Sequence, residues 1–167
     1  MNALKGLIKL IAAIVVLSGI IAMPAMALDT NPTVDQTSRE TAVRKRFANN
    51  TLNGVVKARE LRGQVLTETQ RKKVYDIAFK SAGELIEVLK ETGLFDEYYT
   101  QLHDKEIIAL DKQTFSATTI EEIQRLMYKQ LDLIRTKYPR LYAWISSSEP
   151  AARITTQMLK DIMVVID

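Results

Sequence analysis

LTETQRKKVYDIAFKSAGELIEVLKETG, from Leu66 to Gly93, decides the fold. Val74, Ile77, Ala78, Ala82, Leu85, Val88 and Leu89 recur at three-and-four spacing, the signature of a helix with one apolar face. Phe79 and Ile86 widen that stripe, so the helix is buried on two sides and forms the centre of any bundle around it. Thr67, with Gln70 three residues on, reads as a capping box that satisfies the first free backbone amides. Thr92-Gly93 supplies the stop.

Working outward toward the N-terminus, Gly63 closes an earlier helix expected from about Ser38 to Arg62, opened by Thr37 with Glu40. Its apolar face is thin: Val43, Phe47, Val55, Ala58 and Leu61. Asn49, Asn50, Asn53 and Gly54 interrupt it, and each is a poor helix former. Residues 37–63 therefore read as the least stable helix and a mobile basic arm, carrying Arg44, Lys45, Arg46, Lys57, Arg59 and Arg62. Asn49-Asn50-Thr51 also matches a glycosylation sequon.

Toward the C-terminus, a helix is expected over about Leu94 to Lys112, followed by a break from Gln113 to Thr118. Thr118 with Glu121, or Thr119 with Glu122, starts the next. Ile120, Ile123, Met127, Leu131, Ile134, Tyr138 and Leu141 then form a seam, interrupted where Pro139 forces a new start. A short helix with Trp144 and Ile145 follows. Ser146-Ser147-Ser148-Glu149-Pro150 is a turn that supplies an N-cap serine and a first-turn proline for the last one, whose Val164 and Ile166 make an apolar C-terminus that must dock somewhere. No strand-like alternation is present. The fold class is all-α, an irregular bundle of about five or six helices in one domain over residues 37–167.

The first 27 residues are of another kind. Lys5 and Lys9 lead into an uncharged run from Leu10 to Met23, ending at Pro24 and Ala25-Met26-Ala27. A positive start, an apolar core and small residues at the cleavage positions describe a secretory signal peptide, cut after Ala27. The expected location is periplasmic or secreted, with residues 28–36 a flexible mature terminus. Membrane attachment would come only through an uncleaved leader. There is no cysteine, so neither disulfides nor a lipid-anchored cysteine are available and stability must come from packing.

Without the leader, 21 basic residues face 20 acidic ones, which gives no argument for nucleic acid. The distribution is less even. Ser38 to Val74 holds ten Lys/Arg against three Glu, and Tyr75 to Gln124 holds 11 acids against four bases. The two segments either face each other inside the bundle or attract a partner.

Candidate chemistry is sparse. The single histidine, His103, lies beside Asp104 and one turn from Glu106, and a metal would need a further ligand from another helix. No catalytic, metal or cofactor residues are assigned. The doublets Asp96-Glu97 and Glu121-Glu122 read as favourable charge near helix starts. Aromatics gather at Phe95, Tyr98 and Tyr99 and at Tyr138, Tyr142 and Trp144. The expected partner-binding residues are Arg44, Arg46, Arg59, Arg62, Tyr98, Tyr142 and Trp144, with the three aromatics lining a surface groove.

Leu66-Thr67-Glu68-Thr69-Gln70 resembles the Leu-Thr-x-x-Gln signature of periplasmic helical chaperones of the Spy and CpxP type, which are small, exported and disulfide-free. The resemblance covers five residues, without a second copy of the motif, and implies a client-binding cradle. The leading expectation is a non-enzymatic exported protein that binds another envelope or secreted protein, as an accessory part of an envelope or secretion assembly. A chaperone of that type and a small cell-wall enzyme using acids on the third and fourth helices are the alternatives.

Overall fold

The computed structural model describes residues 35–166; the leader, its cleavage site and residues 28–34 lie outside them. Among the described residues the chain is all-helical, with seven helices and no strand: α1 (Gln36–Glu60), α2 (Glu68–Glu91), α3 (Phe95–Leu102), α4 (Lys105–Ser116), α5 (Ile120–Lys137), α6 (Pro139–Ser147) and α7 (Glu149–Ile166).

The central role expected of the 66–93 stretch is what the packing shows. α2 lies between α1 and α7, and these are the two most extensive helix pairings among the described residues. Val74, Ala78, Ala82, Leu85, Ile86 and Leu89 are its buried apolar side chains. Thr67 accepts from the Gln70 amide (3.2 Å) while the Gln70 side chain accepts from the Thr67 amide (3.0 Å), so both halves of the capping box form. The Leu-Thr-x-x-Gln letters thus have a complete local explanation as a helix start. Gly63 and Gly93 adopt φ of +69° and +68°, and each is followed by a long return bond, Gln64 N–H to the Arg59 carbonyl and Leu94 N–H to the Leu89 carbonyl. These are the helix stops read from the glycines.

α1 begins at Asp35 rather than at Thr37. The Glu40 carboxylate that a Thr37 box would need is instead taken by Lys90 of α2 at 3.0 Å. α1 is docked along α2, with Val43, Phe47 and Ala48 in the main core. In this structure it is a layer of the bundle. The sequon is mid-helix: its acceptor Asn49 is half-buried, while Asn50 and Thr51 are buried and the Thr51 hydroxyl donates to the Phe47 carbonyl (3.0 Å).

The larger helix count has one main cause. The single helix expected over 94–112 is cut at His103-Asp104, and α4 runs on to Ser116. Asp104 caps α4, accepting from the Glu106 amide (2.9 Å) and the Ile107 amide (3.3 Å). A carboxylate that bonds the next turn's amides competes with helix continuation at its own position. Thr119 caps α5 by accepting from the Glu122 amide, Pro139 occupies the first position of α6, and Ser148 accepts from Ala151 N–H.

Two apolar clusters result. The main one joins α1, α2 and α3 to Ile107, Ile134, Leu141, Ala151, Met158 and Ile162. A smaller one, Leu110, Ala117, Ile123, Leu126 and Met127, lies between α4 and α5. The segregated charges meet only in part. Arg39 of α1 reaches Asp96 at 2.6 Å, but the other acids of α3 and α4 pair elsewhere: Asp104 and Glu106 with Lys137 (3.1 and 2.7 Å), and Glu97 with Arg140 (3.9 Å).

Candidate functional site

Two places stand out: an exposed surface at one end of the bundle and a polar cluster in its interior. The surface is built where the α1–α2 loop meets the end of α7. Arg59 donates to Gln64 Oε1 (2.6 Å) and, through its other terminal nitrogen, to the Ile166 carbonyl. Gln70, the capping-box residue, donates to the Val165 carbonyl at 3.2 Å. These bonds satisfy free carbonyls at a helix C-terminus and fix the loop against it.

Val165 and Ile166 pack on the core, so the apolar C-terminus docks as expected. Val164 does not: it is 84% exposed. Val65, in the stitched loop, is 79% exposed, so the two most exposed large apolar residues of the described chain share this end. The chain on either side of Val65 is mainly basic, with six Lys/Arg from Lys57 to Lys73 against Glu60 and Glu68. Arg62, Lys72 and Lys73 are solvent-exposed, with Lys72 paired to Asp76 at 2.9 Å. Sequence reading singled out Arg59 and Arg62 here and passed over Val65, whose signal was an apolar residue inside a turn.

The interior cluster was not foreseen as such. Arg46 and Asn50 of α1, Tyr98 and Gln101 of α3, His103 at the end of α3 and Asp111 of α4 hold buried polar atoms without hydrogen-bond partners. Arg46 ties them together, because its charge is felt at Tyr98, His103 and Asp111. Arg46 and Asp111 do not meet in an ion pair. Asp111 Oδ1 accepts from Gln130 Nε2 of α5 (2.9 Å), and its other oxygen is unpartnered. Burial pushes the Asp111 carboxyl up to about 9, against the lowering pull of Gln130 and Arg46, so it carries a proton at neutral pH. Burial likewise raises Tyr98 and lowers Arg46.

His103 donates from Nδ1 to the Tyr99 carbonyl (2.6 Å) and lies against the Tyr99 ring. Burial, with Arg46 and Arg39 nearby, holds it below the usual imidazole range against that bond, leaving a neutral ring whose Nε2 is unpartnered. Among the described residues no group of three His, Cys, Asp or Glu side chains converges to hold a metal.

The other expected binding residues are scattered. The Arg44 guanidinium lies over the Phe79 ring (5.8 Å) and against Gly83, which leaves room for it: a Cβ there would come within 2.9 Å of the guanidinium carbon. Tyr98 is only 1% exposed, so it lines no surface groove, and Arg46 is half-buried, with its Nε and Nη2 atoms shut off from water. The expected surface role of Tyr98 gives way to the interior cluster, which Arg46 reaches because it falls on the same face of α1 as Val43 and Phe47. Tyr142 and Trp144, on α6, are half-buried against the main core, apart from the Val65–Val164 end.

A cleft of about 410 Å³ runs between α4 and α5, floored by Ala109, Leu110 and Leu133 and edged by Glu106, Lys129 and Asp132. Helical spacing puts it on the opposite side of α4 from Asp111. No described helix is long and apolar enough to cross a membrane. Compared with protein-family models, curated proteins and solved structures, the chain matches none. Any functional reading therefore rests on its own residues.

Proposed function

We propose that this chain is an exported helical protein that acts by contact, and that its contact surface is the end of the bundle carrying Val65, Val164 and Arg62. The reading joins the leader pattern of residues 1–27 to one observation of the fold. Val65 and Val164 are both left largely exposed where bonds from Arg59 and Gln70 tie the α1–α2 loop and the start of α2 to the last carbonyls of α7, in segments where basic residues outnumber acidic ones. Exposed apolar residues with an excess of basic charge nearby suit a protein partner with an apolar patch and an acidic rim. The charges would set the rate and salt dependence of encounter, and the valines would supply buried area.

The test is capture of an envelope partner by the immobilised mature chain at low and high salt, beside Val65→Glu and Arg62→Glu. The reading expects a defined partner from wild type, weakened about ten-fold or more by either substitution and by high salt. Retention of the same partner by both variants would remove this surface from consideration, and recovery of nothing from wild type would count against a binding role.

A further inference from the structure

We infer that α1 is a latch: its docked face opens from the bundle as a unit, well before the rest of the molecule unfolds. The argument rests on what that face buries. α1 contributes Val43, Phe47 and Ala48 to the core, but between and beyond them it also buries Asn50 and the Nε and Nη2 atoms of the half-buried Arg46. Arg46 Nε and Nη2 and both polar atoms of the Asn50 amide have no partner. Opposite them the Tyr98 hydroxyl, both ends of the Gln101 amide and Asp111 Oδ2 are unpartnered too. Buried polar groups are normally bonded, and each one left without a partner holds back part of the gain from docking. Lifting α1 lets water reach the orphaned atoms on both sides of the interface.

α7, the other neighbour of α2, makes the contrast. It buries Ala151, Ile154, Met158 and Ile162, and its buried Thr155 hydroxyl donates to the Ala151 carbonyl (2.7 Å). Nothing on that face gains from opening. α1 is also held near its two ends by bonds that salt or water can replace: Arg39–Asp96 and Glu40–Lys90 at the start, and Arg59 to Gln64 and Ile166 at the finish. Gly63, in the left-handed conformation with nothing packed against it, supplies the turn about which α1 swings. A helix that buries fewer satisfied groups than its neighbours belongs to the low-stability end of a fold's opening units.

The chain has no cysteine, so single thiols report cleanly. Ala48→Cys places one on the buried face of α1 and Ala151→Cys places one on α7, both at buried positions. In the full-length protein without denaturant, the thiol at position 48 is expected to react about ten-fold or more faster than that at 151. Added salt should speed the first and leave the second. Asn50→Leu, which replaces two orphaned polar atoms with methyl groups at the same branching, should slow labelling at 48 only.

Amide exchange provides a check free of cysteine substitutions, with protection over Val43–Val55 falling below that over Val74–Leu89. Equal reactivity of the two thiols, with equal amide protection in α1 and α2, would show one cooperative unit and overturn the latch.

Discussion

Asp111 is where a single residue governs the behaviour of the molecule. Its carboxyl is pushed up to about 9 in the fold, chiefly by burial, and returns to an ordinary carboxylate value when the chain unfolds. The folded state therefore binds the extra proton, and stability from this group is fully present below about pH 4 and is lost as pH rises toward 9. His103 works in the other direction. Its lowered value means that folding favours the neutral ring, so its contribution is present above the ordinary imidazole range and fades as pH falls through its folded value. Above pH 7 the folded ring is neutral and most of the unfolded one is too, so the Asp111 slope dominates up to about pH 8.5.

Denaturant titrations over that window should show stability falling with pH. Asp111→Asn, which mimics the protonated acid and still accepts from Gln130, should flatten that slope and stabilise the protein at pH 8 by at least about 1 kcal/mol. A wild type whose stability is constant from pH 7 to 8.5 would show that this carboxyl is not held protonated.

At the scale of the helix, caps and stops were the most legible part of the sequence, because each is a local bond between residues three to five apart. The Thr67–Gln70 box and the stops at Gly63 and Gly93 are all present in the fold. The helix break at Asp104 was not read, because apolar spacing continues through it from Leu102 to Ile107 and Leu110. Only the carboxylate's preference for capping marked the site.

The two caps differ in what else they hold. Thr67 serves α2 alone, apart from Gln70's bond to Val165. Asp104 caps α4 and also accepts from the Tyr138 hydroxyl (3.0 Å) and Lys137 (3.1 Å) across from α5. Burial raises the Asp104 carboxyl, yet Lys137, Tyr138 and the Ile107 and Glu106 amides together hold it below its ordinary value. Burial first, and then the bond to Asp104, pushes Tyr138 up to about 12 against the opposing charge of Lys137. Thr67→Ala should therefore cost about 1 kcal/mol, and Asp104→Ala about 2 or more, measured by chemical denaturation. Equal losses would mean that the contacts to Lys137 and Tyr138 add nothing.

For the whole molecule, the all-helical class and the centrality of α2 follow from periodicity, which a single chain displays openly. What periodicity hides is which charged and polar residues share the apolar face. Arg46, Asn50 and Gly54 follow Val43 and Phe47 at helical spacing, so the stripe predicted them to be inside, while their chemistry read as a solvated basic arm. The interior cluster needs α1, α3 and α4 brought together from distant parts of the chain, and no local pattern announces that.

The contact surface is legible in part for the same reason. Arg59 and Arg62 stand out by charge, whereas Val65 and Val164 become neighbours of one end only once α7 returns to the start of α2. The proposed binding role stands or falls on that end, and in-cell photo-crosslinking tests it most directly. With a photoreactive residue placed in turn at Val65, Val164 and the exposed Tyr128 on α5, the account predicts one adduct of the same mass from positions 65 and 164, absent at 128 and lost in Arg62→Glu. Adducts of equal yield at all three positions, or adducts at 128 alone, would contradict it.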